Sequence, residues 1–405
     1  MASVVTNALP DNVSPERVVD YDFYSAAGDR DLQLETSKTL HAGADIVWTP
    51  RNGGHWIFTR AEDIEYAQRE STLFSMREVT LPAGFTPTPV LPLESDEPEH
   101  AQYRAALAPA FDPKAIVALE PGVRELAAEL IEGFEPKGRC EFVSEFGAHL
   151  PIVIFMRMAN LPKEDRAMLV RWTNNAVRPH EPADRIESYR KTSEYITRLM
   201  DERRGSTAED IVSRVMRGRM AARDMSDSEK HSMILNALFG GLDTVTSALS
   251  FMARFLAMNP PHRRQLAENP ALISRAIEEL LRRHGVTNTA RVITRDLNYK
   301  GIHFKAGDRV LVQSLLHGLD ARRFPEPASV DFARKGTRHA VFGNGTHRCI
   351  GALLARTEMK VFLSEWLARI PDFSLDPADP PRVESGMVNS VVHLPLRWAP
   401  RSVGH

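Results

Sequence analysis

Residues 226–260, SDSEKHSMILNALFGGLDTVTSALSFMARFLAMNP, set the scale of the fold. Ser226-x-x-Glu229 reads as a capping box at the start of this run. Asn259-Pro260 stops it, because the residue before a proline is pushed out of the helical region. Apolar residues recur at helical spacing between these points, so a helix of more than thirty residues has to cross the whole domain that contains it. Gly240 and Gly241 interrupt its middle. Each costs roughly 1 kcal/mol relative to alanine, which asks for a reason such as the close approach of a ligand. Asp243 and Thr244 follow directly. On their own they could simply bend the helix, with Thr244 bonding back to a carbonyl one turn earlier.

The rest of the chain reads as mainly α with small β-sheets. Amphipathic helical runs fall at AIVALEPGVRELAAELIEGF, DRIESYRKTSEYITRLMDERR, ALISRAIEELLRRHG and ALLARTEMKVFLSEWLARI. Strand signals are fewer. DIVWTPRNGGHWIFTR places two β-rich runs around an Arg-Asn-Gly-Gly turn, LNYKGIHFKAGDRVLVQ turns at Lys300-Gly301 and Ala306-Gly307, and SGMVNSVVHLPLRW adds short strands. With 405 residues, 43% of them hydrophobic, the chain can bury a large core. No Gly/Ser-rich linker or internal repeat divides it, so one domain over residues 1–405 is expected, its first thirty or so residues irregular. Basic and acidic residues, 51 and 53, nearly cancel, leaving no global positive field to hold nucleic acid or an anionic membrane. The N-terminus lacks a basic region followed by an apolar stretch, and no run reaches the roughly 18 continuous apolar residues of a membrane span. A cytoplasmic protein with no nucleic-acid or membrane partner is expected.

Cys140 and Cys349 lie 209 positions apart, and without an export signal no disulfide is expected between them. Cys349 belongs to FGNGTHRCIG, residues 342–351, immediately before a helical run. Free backbone N–H groups and the helix dipole favour a thiolate there, which suits a metal ligand. Gly343, Gly345 and Gly351 remove Cβ bulk, allowing unusual backbone angles or contact with a large flat ligand. The plain alternative is a buried free cysteine among turn glycines. A zinc site from His339, His347 and Cys349 lacks the usual C-x-x-C or H-E-x-x-H spacing.

The order Phe342-Gly343-x-Gly345-x-His347-x-Cys349-x-Gly351 resembles the haem-binding signature of the cytochrome P-450 haem-thiolate monooxygenases. The resemblance implies that family's fold, with haem b between the long central helix and the cysteine-bearing loop, and Cys349 as axial ligand to the iron. An axial thiolate pushes electron density onto iron and favours O–O cleavage. Gly240 to Thr244 resembles the family's acid–alcohol helix, in which the hydroxyl, here Thr244, supports bound dioxygen and the acid, here Asp243, relays protons. Glu279-x-x-Arg282, on its own an ordinary solvated pair, resembles the buried structural brace of the family, with Arg334 or a neighbour as third partner. By the same resemblance His100, Arg104, Arg291 and His347 hold the haem propionates, and Phe342, Gly343 and Gly351 complete the cofactor contacts. Thr289 stands where camphor-hydroxylating members carry an aspartate.

The likeness to those camphor-hydroxylating members runs along almost the entire chain, but the tyrosine that anchors their ketone aligns with Thr88. Thr88, Asn236, Phe239, Gly240, Val286, Thr287, Met387 and Val388 are the implied substrate contacts, giving a mostly apolar pocket; plain core packing is the alternative for each. The expected reaction is O2-dependent hydroxylation of an apolar terpenoid or norisoprenoid, such as an ionone-like ketone, or else of another small hydrophobic compound such as a monoterpene. Rossmann and P-loop glycine patterns are absent, so electrons have to come from outside. The resemblance implies a 2Fe-2S ferredoxin and its NAD(P)H-dependent reductase, with Arg104, Arg334, Lys335, Arg338 and Arg348 offered for docking. Two rivals remain: a hydrogen-peroxide-driven peroxygenase, which Asp243-Thr244 argues against, and a non-catalytic haem-thiolate sensor, for which no regulatory segment is visible.

Overall fold

The hairpin expected at DIVWTPRNGGHWIFTR forms as β1 (Ile46–Thr49) and β2 (His55–Phe58) in a computed structural model that describes residues 9–84, 88–177 and 182–400. Trp48 faces Trp56 and Val47 faces Ile57 across the pair. Asn52, Gly53 and Gly54 reverse the chain at φ 53, 87 and 81, angles that an Asn-Gly-Gly sequence reaches with little strain. The chain falls into two compact units. The first comprises Met1–Glu97, Glu278–Cys349 and Val383–Ser390; the second comprises Pro98–Ile277, Ile350–Arg382 and Val391–His405.

In the first unit the hairpin extends into a five-stranded sheet with helix α1 (Ala61–Arg69), β3 (Phe74–Ser75), β4 (Asn288–Ile293) and β5 (Arg309–Gln313) following in chain order. Its strand order is β1-β2-β5-β4-β3, and only β2 and β5 run parallel. Every residue of β1 and β2 is buried, so both faces of the sheet are covered. Trp56, Phe58, Phe74 and Phe304 fill the core with Ile64 and Ala67 of α1. Full burial is worth roughly 1.5–3 kcal/mol for each large apolar side chain, enough to fix α1 against the sheet. The Lys300-Gly301 turn joins Leu297–Tyr299 to Ile302–Phe304 at φ 48 and 76, the mirror-image turn that suits twisted strands. Within the first thirty residues a 3-10 turn at Pro15–Arg17 and a two-residue strand at Ala27–Gly28 are the regular structure, residues 1–8 lying outside the described ones.

The helices α2 (Glu99–Leu107), α3 (Pro113–Phe134), α4 (Pro182–Glu202) and α5 (Asp227–Met258) belong to the second unit. The division between units falls inside α6 (Ile273–Arg283), and α7 (Ala352–Arg369) returns to the second. Helices make up 51% of the described residues, so strands are the minority that the sequence indicates. The long run read from the sequence becomes α5, and its capping box is complete. The Glu229 N–H donates to Ser226 Oγ at 3.2 Å and the Ser226 N–H donates to Glu229 Oε2 at 2.7 Å. Helix α5 is long and apolar enough to cross a membrane, but 61% of its most apolar window is buried inside the protein. Thr246 Oγ1 donates to the Gly147 carbonyl at 3.1 Å, tying α5 to a π-helical turn at Val143–Gly147. Phe142, Phe146, Phe362 and Trp366 pack ring against ring where α7 meets that turn. Cys140 lies buried on Arg139–Glu141, opposite Leu396, and burial pushes its thiol well up, which makes it a packing residue.

Candidate functional site

The cysteine loop lies at the end of the first unit. Gly343 and Gly345 take φ 72 and 76, which side chains avoid at a cost of roughly 1–2 kcal/mol, so both glycines have a backbone reason. Gly351 does not: it caps α7 at φ −82, open to any residue. The Gly343 N–H donates to the Ala340 carbonyl at 2.9 Å and the Cys349 N–H to the Phe342 carbonyl at 2.8 Å, folding the loop back on itself. Cys349 is exposed and in no disulfide, three positions before α7 begins, while Phe342 and His347 are half-buried. His339 Nε2 lies 3.2 Å from Glu278 Oε2, which would pair with it if the ring were protonated.

Glu279 and Arg282 are both fully buried, so the pair is not the solvated one that its spacing alone suggests. Arg282 donates through Nε to Glu279 Oε2 at 2.8 Å and through Nη2 to Oε1 at 2.9 Å. Its Nη1 holds the Gly318 and Pro327 carbonyls at 2.6 and 2.8 Å. Arg334 Nε donates to Glu279 Oε1 at 2.9 Å, making it the third partner. Burial alone would raise the Glu279 carboxyl, but the bonds from Arg282, the Asp331 N–H and Arg334 outweigh it and hold the acid below its ordinary value. The Arg334 side chain is only 12% exposed, which removes it from the residues free to dock a partner.

Arg291 is the test of whether an anionic cofactor fits this unit. It sits on β4, 5% exposed, and its Nη1 donates to Thr289 Oγ1 at 3.1 Å and the Ala290 carbonyl at 2.7 Å. Both partners are neutral, and no carboxylate among the described residues pairs with it. Burial pushes the guanidinium down to about 10. A buried charge without a counter-ion is costly, and a bound carboxylate such as a propionate would relieve that cost. Thr289 thus supplies a neutral hydroxyl contact.

Four of the expected substrate contacts are brought together in the same unit. Thr287 bridges Val388, the Asn288 N–H donates to the Met387 carbonyl at 2.9 Å, and the Asn389 N–H donates to the Val286 carbonyl at 2.7 Å. Buried Asn288 and Asn389 lock the two segments, Asn288 Nδ2 donating to Asn389 Oδ1 at 3.0 Å. Neither asparagine carried a motif signal. Thr88 is exposed in the proline-rich loop. Buried Glu94 staples that loop by accepting from the N–H groups of Val79 and Val90 at 3.3 and 2.8 Å, another role that the sequence did not announce.

The second unit carries the glycine-interrupted helix. Gly240 and Gly241 are exposed halfway along α5 while Leu238, Leu242 and Val245 are buried. A Cβ on Gly241 would meet nothing within 4 Å, and one on Gly240 would come 3.2 Å from Asn236 Oδ1. Packing against protein does not explain Gly241, whose Cβ position is open. Thr244 Oγ1 donates to the Gly240 carbonyl at 3.0 Å, the back-bond expected of a mid-helix threonine. Asp243 is half-buried beside it. Phe239 stacks on Tyr189 of α4 with ring centroids 5.9 Å apart.

His100 is buried and Arg104 half-buried, one turn apart on α2. Tyr103 between them donates to the Glu229 carboxylate, which also accepts from Arg223 at 2.6 and 2.7 Å. Arg223 chiefly holds Glu229 far below its ordinary range. The capping residue of α5 therefore also fixes α2, a second task that the capping-box signal did not reveal.

A model of the family described as Cytochrome P450 matches residues 167–396. "Probable cytochrome P450 127A1" of Sinorhizobium fredii is 31% identical over 98% of both chains. The crystal structure of CYP101J2 superposes with a TM-score of 0.88 at 36% identity, covering 96% of this chain and 100% of its own. That of CYP101C1 gives 0.89 at 34% identity, covering 97% and 100%.

Proposed function

The chain belongs to the cytochrome P450 family, and from that premise we propose that it hydroxylates an apolar terpenoid or norisoprenoid with electrons from a 2Fe-2S ferredoxin and its reductase, Cys349 serving as the thiolate ligand. The enzyme is a monooxygenase whose family cofactor is haem b with an axial cysteine thiolate. When bound, that group supplies dioxygen binding, its reduction and the insertion of one oxygen atom into a C–H bond. The observation that carries the assignment of residues is that one unit holds both an exposed thiol on a glycine-shaped loop and a buried guanidinium that no carboxylate among the described residues pairs with.

The roles follow from the contacts each side chain has. Arg291 binds a propionate as its counter-ion, with His347, His100 and Arg104 as further donors, and Glu279 with Arg282 holds the backbone around Gly318. The Thr244 hydrogen is committed to the Gly240 carbonyl, so its oxygen is left to accept a hydrogen bond from a protonated oxygen of the reacting species. Asp243 carries the proton. Val286, Met387, Val388 and Phe239 present apolar surface to the substrate and keep water away, with Thr88, Thr287, Asn236 and Gly240 as the polar or small positions that adjust its orientation. Exposed Lys335, Arg338 and Arg348 present positive charge for an acidic ferredoxin. The whole chain acts as one monooxygenase domain in the cytoplasm.

The test is the carbon monoxide difference spectrum of the dithionite-reduced holoenzyme. The long-wavelength band of a thiolate-ligated haem is expected in the native protein and lost in Cys349→Ser; its survival in that variant moves the ligand elsewhere. Ionones and monoterpenes are then expected to shift the Soret band to its high-spin position on the same sample. A preference for long fatty acids or charged aromatic acids defeats the substrate class.

A further inference from the structure

One side chain of α1 reaches both ends of the cysteine loop's first turn. Gln68, 8% exposed, donates through Nε2 to the Ala340 carbonyl at 3.4 Å, and its Oε1 accepts from Asn344 Nδ2 at 2.8 Å. Ala340 and Asn344 bracket the turn closed by the Gly343 N–H on the Ala340 carbonyl at 2.9 Å. The loop then leans on the backbone of α1. A Cβ on Gly345 would stand 2.8 Å from the Gln68 carbonyl oxygen and 3.1 Å from Arg69 Cα. From Gly345 the chain turns back through the Arg348 N–H on the Gly345 carbonyl at 3.2 Å, and the Cys349 N–H ends on Phe342 at 2.8 Å. Phe342, the residue that anchors the Cys349 backbone, therefore lies between the two points that Gln68 grips. Ile64 and Ala67 bury α1 in the sheet core, so the grip comes from a rigid element.

We propose that Gln68 is a positioning residue for the Cys349 thiolate, holding residues 340–345 so that the sulfur keeps its place as ligand. A glutamine suits the task because one planar group both donates and accepts, bridging a carbonyl and an amide that are four residues apart. An apolar side chain of equal length would take the acceptor from Asn344 Nδ2 and leave the Ala340 carbonyl with the Gly343 N–H alone. The inference rests on Cys349 being the ligand.

The test uses the holoenzyme and three variants, Gln68→Leu, Asn344→Ala and Gln68→Glu. Each is reduced under carbon monoxide, and conversion of the thiolate-type band to the shorter-wavelength band of haem that has lost its thiolate is timed, with far-UV circular dichroism followed in parallel. Gln68→Leu and Asn344→Ala are expected to convert at least threefold faster than the native protein at temperatures where helical signal is intact. Gln68→Glu keeps the acceptor for Asn344 and is expected to fall between them and the native protein. Native conversion rates in both Gln68→Leu and Asn344→Ala, or conversion only in step with helix loss, would overturn the inference. If Gln68→Leu does not fold, Asn344→Ala removes the same bond from the loop side and decides alone. A native protein without the thiolate-type band overturns the ligand reading and this inference with it.

Discussion

Thr244 shows how one bond sets what a residue can contribute. The helix-bending reading and the catalytic reading describe the same atom, since the back-bond to Gly240 at 3.0 Å uses the hydroxyl hydrogen and leaves the oxygen as an acceptor. Thr244→Ala removes that acceptor while leaving Cys349 untouched and the helix intact, alanine having the higher helix propensity. Product formed per NADH consumed is expected to fall severalfold and hydrogen peroxide to rise, with the carbon monoxide band unchanged. Undiminished coupling rejects the role. Arg291 makes the complementary point, because its lack of a carboxylate partner among the described residues is a fact about neighbours and not about residue type.

At the scale of elements, α5 carries a conflict between stability and ligand space. Gly241 has ordinary helical surroundings and nothing within 4 Å of a Cβ, so Gly241→Ala is expected to stabilise the helix by roughly 1 kcal/mol. The same methyl group would stand in the exposed space at the middle of α5. The expected result is a higher urea midpoint together with a severalfold lower turnover, measured on one preparation. If midpoint and turnover rise together, the glycine serves no ligand. Both ends of α5 were legible in the sequence because capping is local, three residues reporting on one another. The hairpins were legible for the same reason, their turns spelled by Asn, Gly and Lys-Gly at positive φ.

For the whole molecule, three acids in addition to Glu229 and Glu279 contribute to the dependence of stability on pH. Arg322 and Arg60 bring the Asp45 carboxyl down to about 2. His317, helped by Arg323 and Arg69, does the same for Glu65. A depressed carboxyl stabilises the fold above its unfolded-state value and loses that contribution as pH falls through the folded one, so both contributions vanish between about pH 4.5 and pH 2. Glu358 on α7 acts in the opposite sense. It is 2% exposed and burial raises its carboxyl well above 4.5, so stability is lost as pH rises beyond that unfolded-state value. Urea unfolding is expected to show a steep acid limb that Asp45→Asn makes shallower, and a Glu358→Gln variant whose stability advantage grows from about pH 5 to pH 8. An advantage that stays flat over that range would mean that Glu358 is ionised in the folded protein.

The sequence by itself determined whatever rests on neighbours along the chain: the length and caps of α5, the turns, the spacing of Glu279 from Arg282 and the glycine pattern around Cys349. The tertiary structure alone decided burial and distant partners. It turned the Glu279–Arg282 spacing into a fully buried brace and drew Arg334 into it from 55 residues away. It also brought Gln68 to Asn344 across 276 residues and gave Asn288 its partner across 101. The physical reason is that a hydrogen bond between remote side chains leaves no periodicity in either segment, and an ion pair's weight depends on the water excluded from it.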